Sequence, residues 1–189
     1  MECLLIGLGV IVAVIVLGAV AAYLYICHQG HEDLIALADS HSAFVLDEQT
    51  EDSLTFSTNV NYVNKGKQCA TIMDCLVRPH LPFEQYDGLD LRGRAELVGA
   101  PREDDYFEAY IVQRADYPDG SDKATIKAQV KLTARKGMNI KEAISKMPDF
   151  NFQIIWLEAG RRLCCYRQVR IEVPAKDIAA LAGTELVDE

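Results

Sequence analysis

Residues 53–77 read SLTFSTNVNYVNKGKQCATIMDCLV, and the fold class turns on them. Leu54, Phe56, Thr58, Val60 and Tyr62 alternate with Thr55, Ser57, Asn59 and Asn61. A two-residue period puts one set on a buried face and the other in solvent, which is the pattern of a half-buried β-strand. Asn64-Lys65-Gly66 follows, and a second strand-like stretch runs to Val77. Asn and Gly tolerate the positive φ of tight reversals, so 53–63 and 67–77 are expected to form a hairpin.

The alternation recurs toward the C-terminus. Residues 105–115 read as a strand that ends at the turn Asp116-Tyr117-Pro118-Asp119-Gly120. Ala124–Ala134 places Ile126, Ala128, Val130 and Leu132 on one side. Phe152–Leu157 and Leu163–Val173 read as a second hairpin around Ala159-Gly160, and Pro174 stops the last strand. Asn139 is placed to cap a short helix over 139–146. Residues 78–104 are punctuated by Pro and Gly and read as loop, with one short strand at 95–98. Ala43–Leu46 begins the strand-rich region. About seven or eight hairpin-linked strands imply a mainly β chain, an antiparallel two-layer β-sandwich of immunoglobulin-like architecture with one short helix. The Cys…Trp…Cys spacing of antibody domains is absent, since Trp156 follows both Cys69 and Cys75.

Toward the N-terminus the pattern changes. From Cys3 to Ile26 the chain carries 24 residues without a charge. As a helix this stretch is ~36 Å long, enough to cross a ~30 Å hydrocarbon layer. Met1-Glu2 lacks the basic residues of a signal peptide, and Ile26 before Cys27 is too bulky for a lipoprotein cleavage site. A retained single-pass signal-anchor is therefore expected, with Tyr23 and Tyr25 at the membrane interface. The organisation expected is a transmembrane anchor over 1–26, a juxtamembrane stalk over 27–42, the sandwich over 43–174 and a C-terminal tail over 175–189. Gly9 with Ala13 and Gly18 with Ala22 are small-residue pairs of the kind that let spans pack as a weak homodimer.

Charge is as segregated as hydropathy. Of 28 acidic residues against 19 basic, eight acids and no Lys or Arg precede Lys65, so the remainder is nearly neutral. A net charge of −9 argues against a nucleic-acid partner. An acidic flank is easily translocated, so the C-terminal domain is expected outside the cytoplasm.

Candidate chemistry is sparse. No nucleophile elbow, H-E-x-x-H or phosphate-binding loop occurs, and His80 is the lone histidine of the expected domain, so no catalytic residue and no cofactor is assigned. His28 and His31 are candidate metal ligands if a helix carries them at i and i+3. Cys3 and Cys27 flank the span, and Cys69 and Cys75, six apart in one strand, are expected on the same face; the domain cysteines read as small buried thiols, with a cross-sheet disulfide from Cys69 or Cys75 to Cys164 or Cys165 as the alternative. Arg161, Arg162, Arg167 and Arg170 read as charges that protect a strand edge from aggregation. Phe83, Tyr86 and Tyr106 are the candidate partner-contact residues on the 78–104 loop and just beyond it.

The function expected is a non-catalytic binding or structural module, bound to the bilayer through residues 3–26 and facing an envelope protein partner in a bacterial-type cell. An accessory or sensory subunit of a membrane complex, or an enzyme with an unrecognised pocket, is the alternative.

Overall fold

The computed structural model describes residues 2–100 and 107–187. The uncharged N-terminal stretch forms one helix, α1 (Glu2–Gln29). Its side chains are exposed from Ile6 to His28, and Ile6–Gln29 is long and apolar enough to cross a membrane. Among the described residues nine strands follow: β1 (Leu34–Ala36), β2 (Val45–Gln49), β3 (Ser53–Asn64), β4 (Ala70–His80), β5 (Leu89–Leu97), β6 (Phe107–Val112), β7 (Lys123–Ala134), β8 (Phe150–Ala159) and β9 (Cys165–Val173). Two short helices, α2 (Ile140–Ser145) and α3 (Ala175–Ala182), complete the chain.

The strands make two antiparallel sheets. One runs β1-β3-β7-β5, with β2 sharing the outer edge of β3 with β1; the other runs β6-β4-β8-β9. With β1 and β2 taken together as strand A, this order reproduces the ABED and CFG sheets of an immunoglobulin constant-type sandwich, and β6 adds an edge strand beside β4. The expected fold class is the observed one. Leu54, Phe56, Val60 and Tyr62 of β3 share a core with Ile72 and Val77 of β4 and Phe152, Ile154 and Trp156 of β8. Edge-to-face pairs bridge the layers, Phe56 with Phe150 at 6.4 Å and Tyr62 with Trp156 at 5.1 Å.

Three expectations are corrected. β3 and β4 form no hairpin; they lie in opposite sheets, and residues 65–69 cross between the layers. Asn64 and Gly66 do not adopt the positive φ that a tight reversal needs. Gly66 instead makes room, since a Cβ there would sit 2.4 Å from the Asp33 nitrogen and the His31 carbonyl. Second, residues 78–100, the described part of the expected 78–104 loop, are not mainly loop: β4 extends to His80, and β5 pairs with β7 from Leu89↔Ala134 to Leu97↔Ile126. Third, Cys69 and Cys75 do not share a face. Asp74, at φ 48°, forms a bulge between Met73 and Leu76 that shifts the alternation, leaving Cys69 exposed and Cys75 buried.

The other local readings match. β8 and β9 pair as the second hairpin, from Phe150↔Val173 to Glu158↔Cys165. The Asn139 side chain accepts the Lys141 N–H at 2.9 Å and caps α2. At both ends the sandwich reaches further than 43–174. β1 lies within the expected stalk yet pairs with Tyr62–Asn64, and α3 lies within the expected tail yet buries Ala175, Ile178, Ala179 and Ala182.

Candidate functional site

The segment between helix and sandwich, CHQGHED over 27–33, is locally unremarkable and tertiary contacts give it its role. α1 ends at Gln29, and Gly30 turns the chain at φ 70°. The next three residues are then fixed from several directions. Lys67 N–H donates to the His31 carbonyl at 2.9 Å and Lys65 N–H to the Asp33 carbonyl at 2.8 Å. The Gln68 amide donates to the Gln29 carbonyl at 2.9 Å, satisfying one of the carbonyls that a helix end leaves open.

Asn64 is the hub. It is fully buried, and its Oδ1 accepts the N–H groups of Gly66 at 2.9 Å and Asp33 at 3.1 Å. Its Nδ2 donates to the carbonyls of Gln68 at 2.7 Å and Gln113 at 2.9 Å. A single amide thereby ties the β3–β4 crossover, the segment after β6 and the segment before β1.

Glu32 completes the junction. It is 2% exposed, and its two carboxylate oxygens accept the backbone N–H of Arg161 at 2.9 Å and of Arg162 at 3.0 Å. Those donors sit in the β8–β9 turn, where a Cβ on Gly160 would lie 2.5 Å from the Glu32 carboxyl carbon. Burial alone would raise the pKa of Glu32, but its own N–H, those of Arg162 and Arg161, and the charge of Arg162 together hold it below the usual carboxylate value. Glu158, also buried, goes the other way. Burial raises its pKa, and Arg167, 3.4 Å away, offsets this only in part while the Glu32 charge adds to it.

Two surfaces flank this junction. A groove of about 680 Å³ at the end of α1 is lined by His28, Lys65, Lys67, Arg114 and Asp116, among others. On the other side the β8–β9 turn exposes Leu163, Cys164, Cys165 and Tyr166 in succession, Leu163 at 93% and Tyr166 at 73%. The reading of the domain cysteines as buried thiols is thus corrected for Cys69, Cys164 and Cys165, which are free and exposed, as is Cys27.

A further groove, of about 490 Å³, lies on the outer face of the β3-β7-β5 sheet between Asp47, Glu48, Arg92, Arg94 and Lys131. Asp47 is held by Ser57 at 3.0 Å, Gln129 at 2.7 Å and Lys127 at 3.1 Å. Burial opposes its ionisation, but those partners hold its carboxyl below the usual range. A carboxylate so saturated is a poor proton acceptor. In the core, burial pushes up both the Cys75 thiol and the Tyr62 hydroxyl, which keeps each neutral at physiological pH.

The remaining sequence candidates separate in space. His28 belongs to the last turn of α1 while His31 follows the break at Gly30, so no helix presents them at i and i+3. No group of three or more His, Cys, Asp or Glu able to hold a metal occurs among the described residues. Phe83 and Tyr86 lie on the loop joining β4 to β5, at the end of the sandwich opposite the junction. Phe83 is 60% exposed beneath Arg135, whose guanidinium lies 5.7 Å from the ring centre. Tyr86 turns inward and donates its hydroxyl to the Ala143 carbonyl at 2.6 Å. Tyr106 lies outside the described residues. Glu32 and Asn64 carried no local signal in sequence.

No protein-family model matches the chain, and no curated protein matches it. Among solved structures, the chain is similar to the GAE domain of yeast GGA1 at 12% identity, covering 76% of this chain and 92% of that one, with a TM-score of 0.33. It is similar also to the GAE domain of GGA2p from Saccharomyces cerevisiae at 7% identity, covering 70% and 99%, with a TM-score of 0.29. Likeness at that level assigns no role to any residue of this chain.

Proposed function

We propose that the chain is a membrane-anchored, non-catalytic binding module whose sandwich stands at a fixed orientation on its span. The observation that carries this reading is the Glu32 carboxylate on the Arg161 and Arg162 N–H groups, because it ties part of the expected stalk to the sandwich by a buried carboxylate. A joint of this kind has a purpose when a surface must face a set direction. β3 alone spans 12 residues, ~40 Å at ~3.4 Å each, so the Phe83 loop at the far end is held well clear of the bilayer. The saturated Asp47 and the neutral Cys75 and Tyr62 support a binding role over catalysis.

The sequence favours a domain outside the cytoplasm. A second reading places it on the cytoplasmic side, and one observation favours that: the fold brings Lys65, Lys67 and Arg114 beside the end of α1, where sequence alone leaves the flank without a cation.

The test is made on the full chain in its native membrane. Chain that resists alkaline extraction but yields to detergent supports the anchor. A Glu84→Cys variant lacking Cys3, Cys27, Cys69, Cys164 and Cys165 then reports orientation through a membrane-impermeant thiol reagent. Site-specific photocrosslinking from position 84 is expected to give a discrete adduct that Phe83→Ser abolishes. Failure to crosslink anything from that loop overturns its binding role.

A further inference from the structure

The β8–β9 turn carries a combination that a purely solvated hairpin avoids. Leu163, Cys164, Cys165 and Tyr166 are four successive apolar or weakly polar residues, all exposed, with Arg161 and Arg162 before them and Arg167 after. Exposed runs of this length mark interaction surfaces.

Its position identifies the partner. The N–H groups of Arg161 and Arg162 are bonded to Glu32, three residues beyond the end of α1 at Gln29. Three residues reach at most ~10 Å and Gln29 lies ~5 Å along the helix beyond Ile26, so the turn is tethered within ~15 Å of the point where the helix leaves the apolar layer. The headgroup region itself extends roughly 5–7 Å beyond the hydrocarbon on each side. Charge agrees. In a chain of net charge −9, Lys65, Lys67 and Arg114 line the groove at the end of α1, and Arg161 and Arg162 border the turn. Asp33 and Asp116 are interleaved with these cations, while Asp119 is engaged by Ser121.

We propose that the β8–β9 turn is a second membrane contact, in which Leu163 and Tyr166 enter the bilayer interface and Arg161 and Arg162, with Lys65, Lys67 and Arg114, bind anionic lipid headgroups. A tyrosine at this depth has its ring in the apolar boundary and its hydroxyl in water, and arginine forks match phosphate oxygens. The span and the turn are then two points of attachment, and the Glu32 joint fixes the angle between them. The proposal rests on α1 being in the bilayer.

The experiment uses the full chain reconstituted in vesicles of phosphatidylcholine alone or with roughly 30% phosphatidylglycerol. Leu163→Cys, in a background lacking Cys3, Cys27, Cys69, Cys164 and Cys165, carries an environment-sensitive fluorophore; Phe83→Cys carries the same label as a distal reference. With the anionic lipid, the label at 163 is expected to shift to the blue and to resist an aqueous quencher, while the label at 83 stays accessible. Adding Arg161→Gln and Arg162→Gln is expected to weaken the protection, by about fivefold for each charge removed, and ~0.5 M salt to weaken it likewise. Native emission from buried Trp156 confirms that the variants fold. Equal quenching at 163 and 83 in membrane-embedded chain overturns the contact, and equal protection in both lipids overturns the headgroup assignment. Chain that fails to float with either vesicle refutes the anchor instead, so the two failures are distinguishable.

Discussion

The carboxylate of Glu32 accepts the backbone N–H of Arg161 at 2.9 Å across 129 residues of sequence. It joins the segment that leaves the apolar helix to the turn between the last two strands, and the properties of this joint are open to measurement.

Glu32→Ala removes the buried acceptor of two partly buried N–H groups and is expected to cost about 1–3 kcal/mol. Gly160→Ala is expected to displace the same carboxylate. Because both changes abolish one interaction, their combined cost in chemical denaturation should fall short of the sum by about 1 kcal/mol or more. Strict additivity would mean that Gly160 and Glu32 act separately.

The two buried glutamates predict opposite pH responses. The pKa of Glu32 is lower in the folded chain than in the unfolded one, so its stabilisation is present above the unfolded value near ~4.3 and is lost as pH falls through the folded value. That of Glu158 is raised, so its contribution is greatest below ~4.3 and is lost as pH rises through the folded value. Glu158→Gln should therefore raise stability at pH 7, and Glu32→Gln should lower it and reduce the loss in acid. Denaturation midpoints of the three proteins from acid to neutral pH test both signs, and a stability loss at pH 7 in Glu158→Gln would contradict the second.

Asn64 faces donors with one atom and acceptors with the other. Asn64→Ala should cost about 2–4 kcal/mol through unsatisfied buried backbone groups. Asn64→Asp should be worse by a further ~1 kcal/mol or more, since it turns a charged oxygen toward the Gln68 and Gln113 carbonyls. Thermal unfolding that ranks the aspartate variant above the alanine one would refute the assigned orientation of the amide.

On the distal loop, structure separates two residues that composition treats alike. Tyr86→Phe loses a hydrogen bond to Ala143 and should cost about 1 kcal/mol. Phe83→Ser, at an exposed site, should change stability by less than about 0.5 kcal/mol. Any effect of Phe83→Ser on crosslinking is then a loss of contact surface and not of fold.

How much was legible beforehand differs from element to element. The Asn139 cap and the β8–β9 hairpin were readable because each depends on residues a few positions apart. Phe83 was identifiable as a loop aromatic, but Tyr86 looked the same until Ala143, 57 residues away, supplied its partner. The reading of Cys69 and Cys75 as one face failed because a single left-handed residue, Asp74, reverses the alternation without any pattern that marks it.

The sequence by itself determined the apolar helix and most of the strands, since a run of uncharged residues and a two-residue period each specify a conformation and a buried face without reference to any partner. Which strand lies beside which, and that 30–33 is a joint and not a stalk, was decided only in the tertiary structure. Asn64 shows the physical reason: an Asn followed closely by Gly is compatible with a tight turn or with a crossover, and the choice falls to carbonyls and N–H groups contributed by Asp33, Gln68 and Gln113, which become neighbours only when the sheets close.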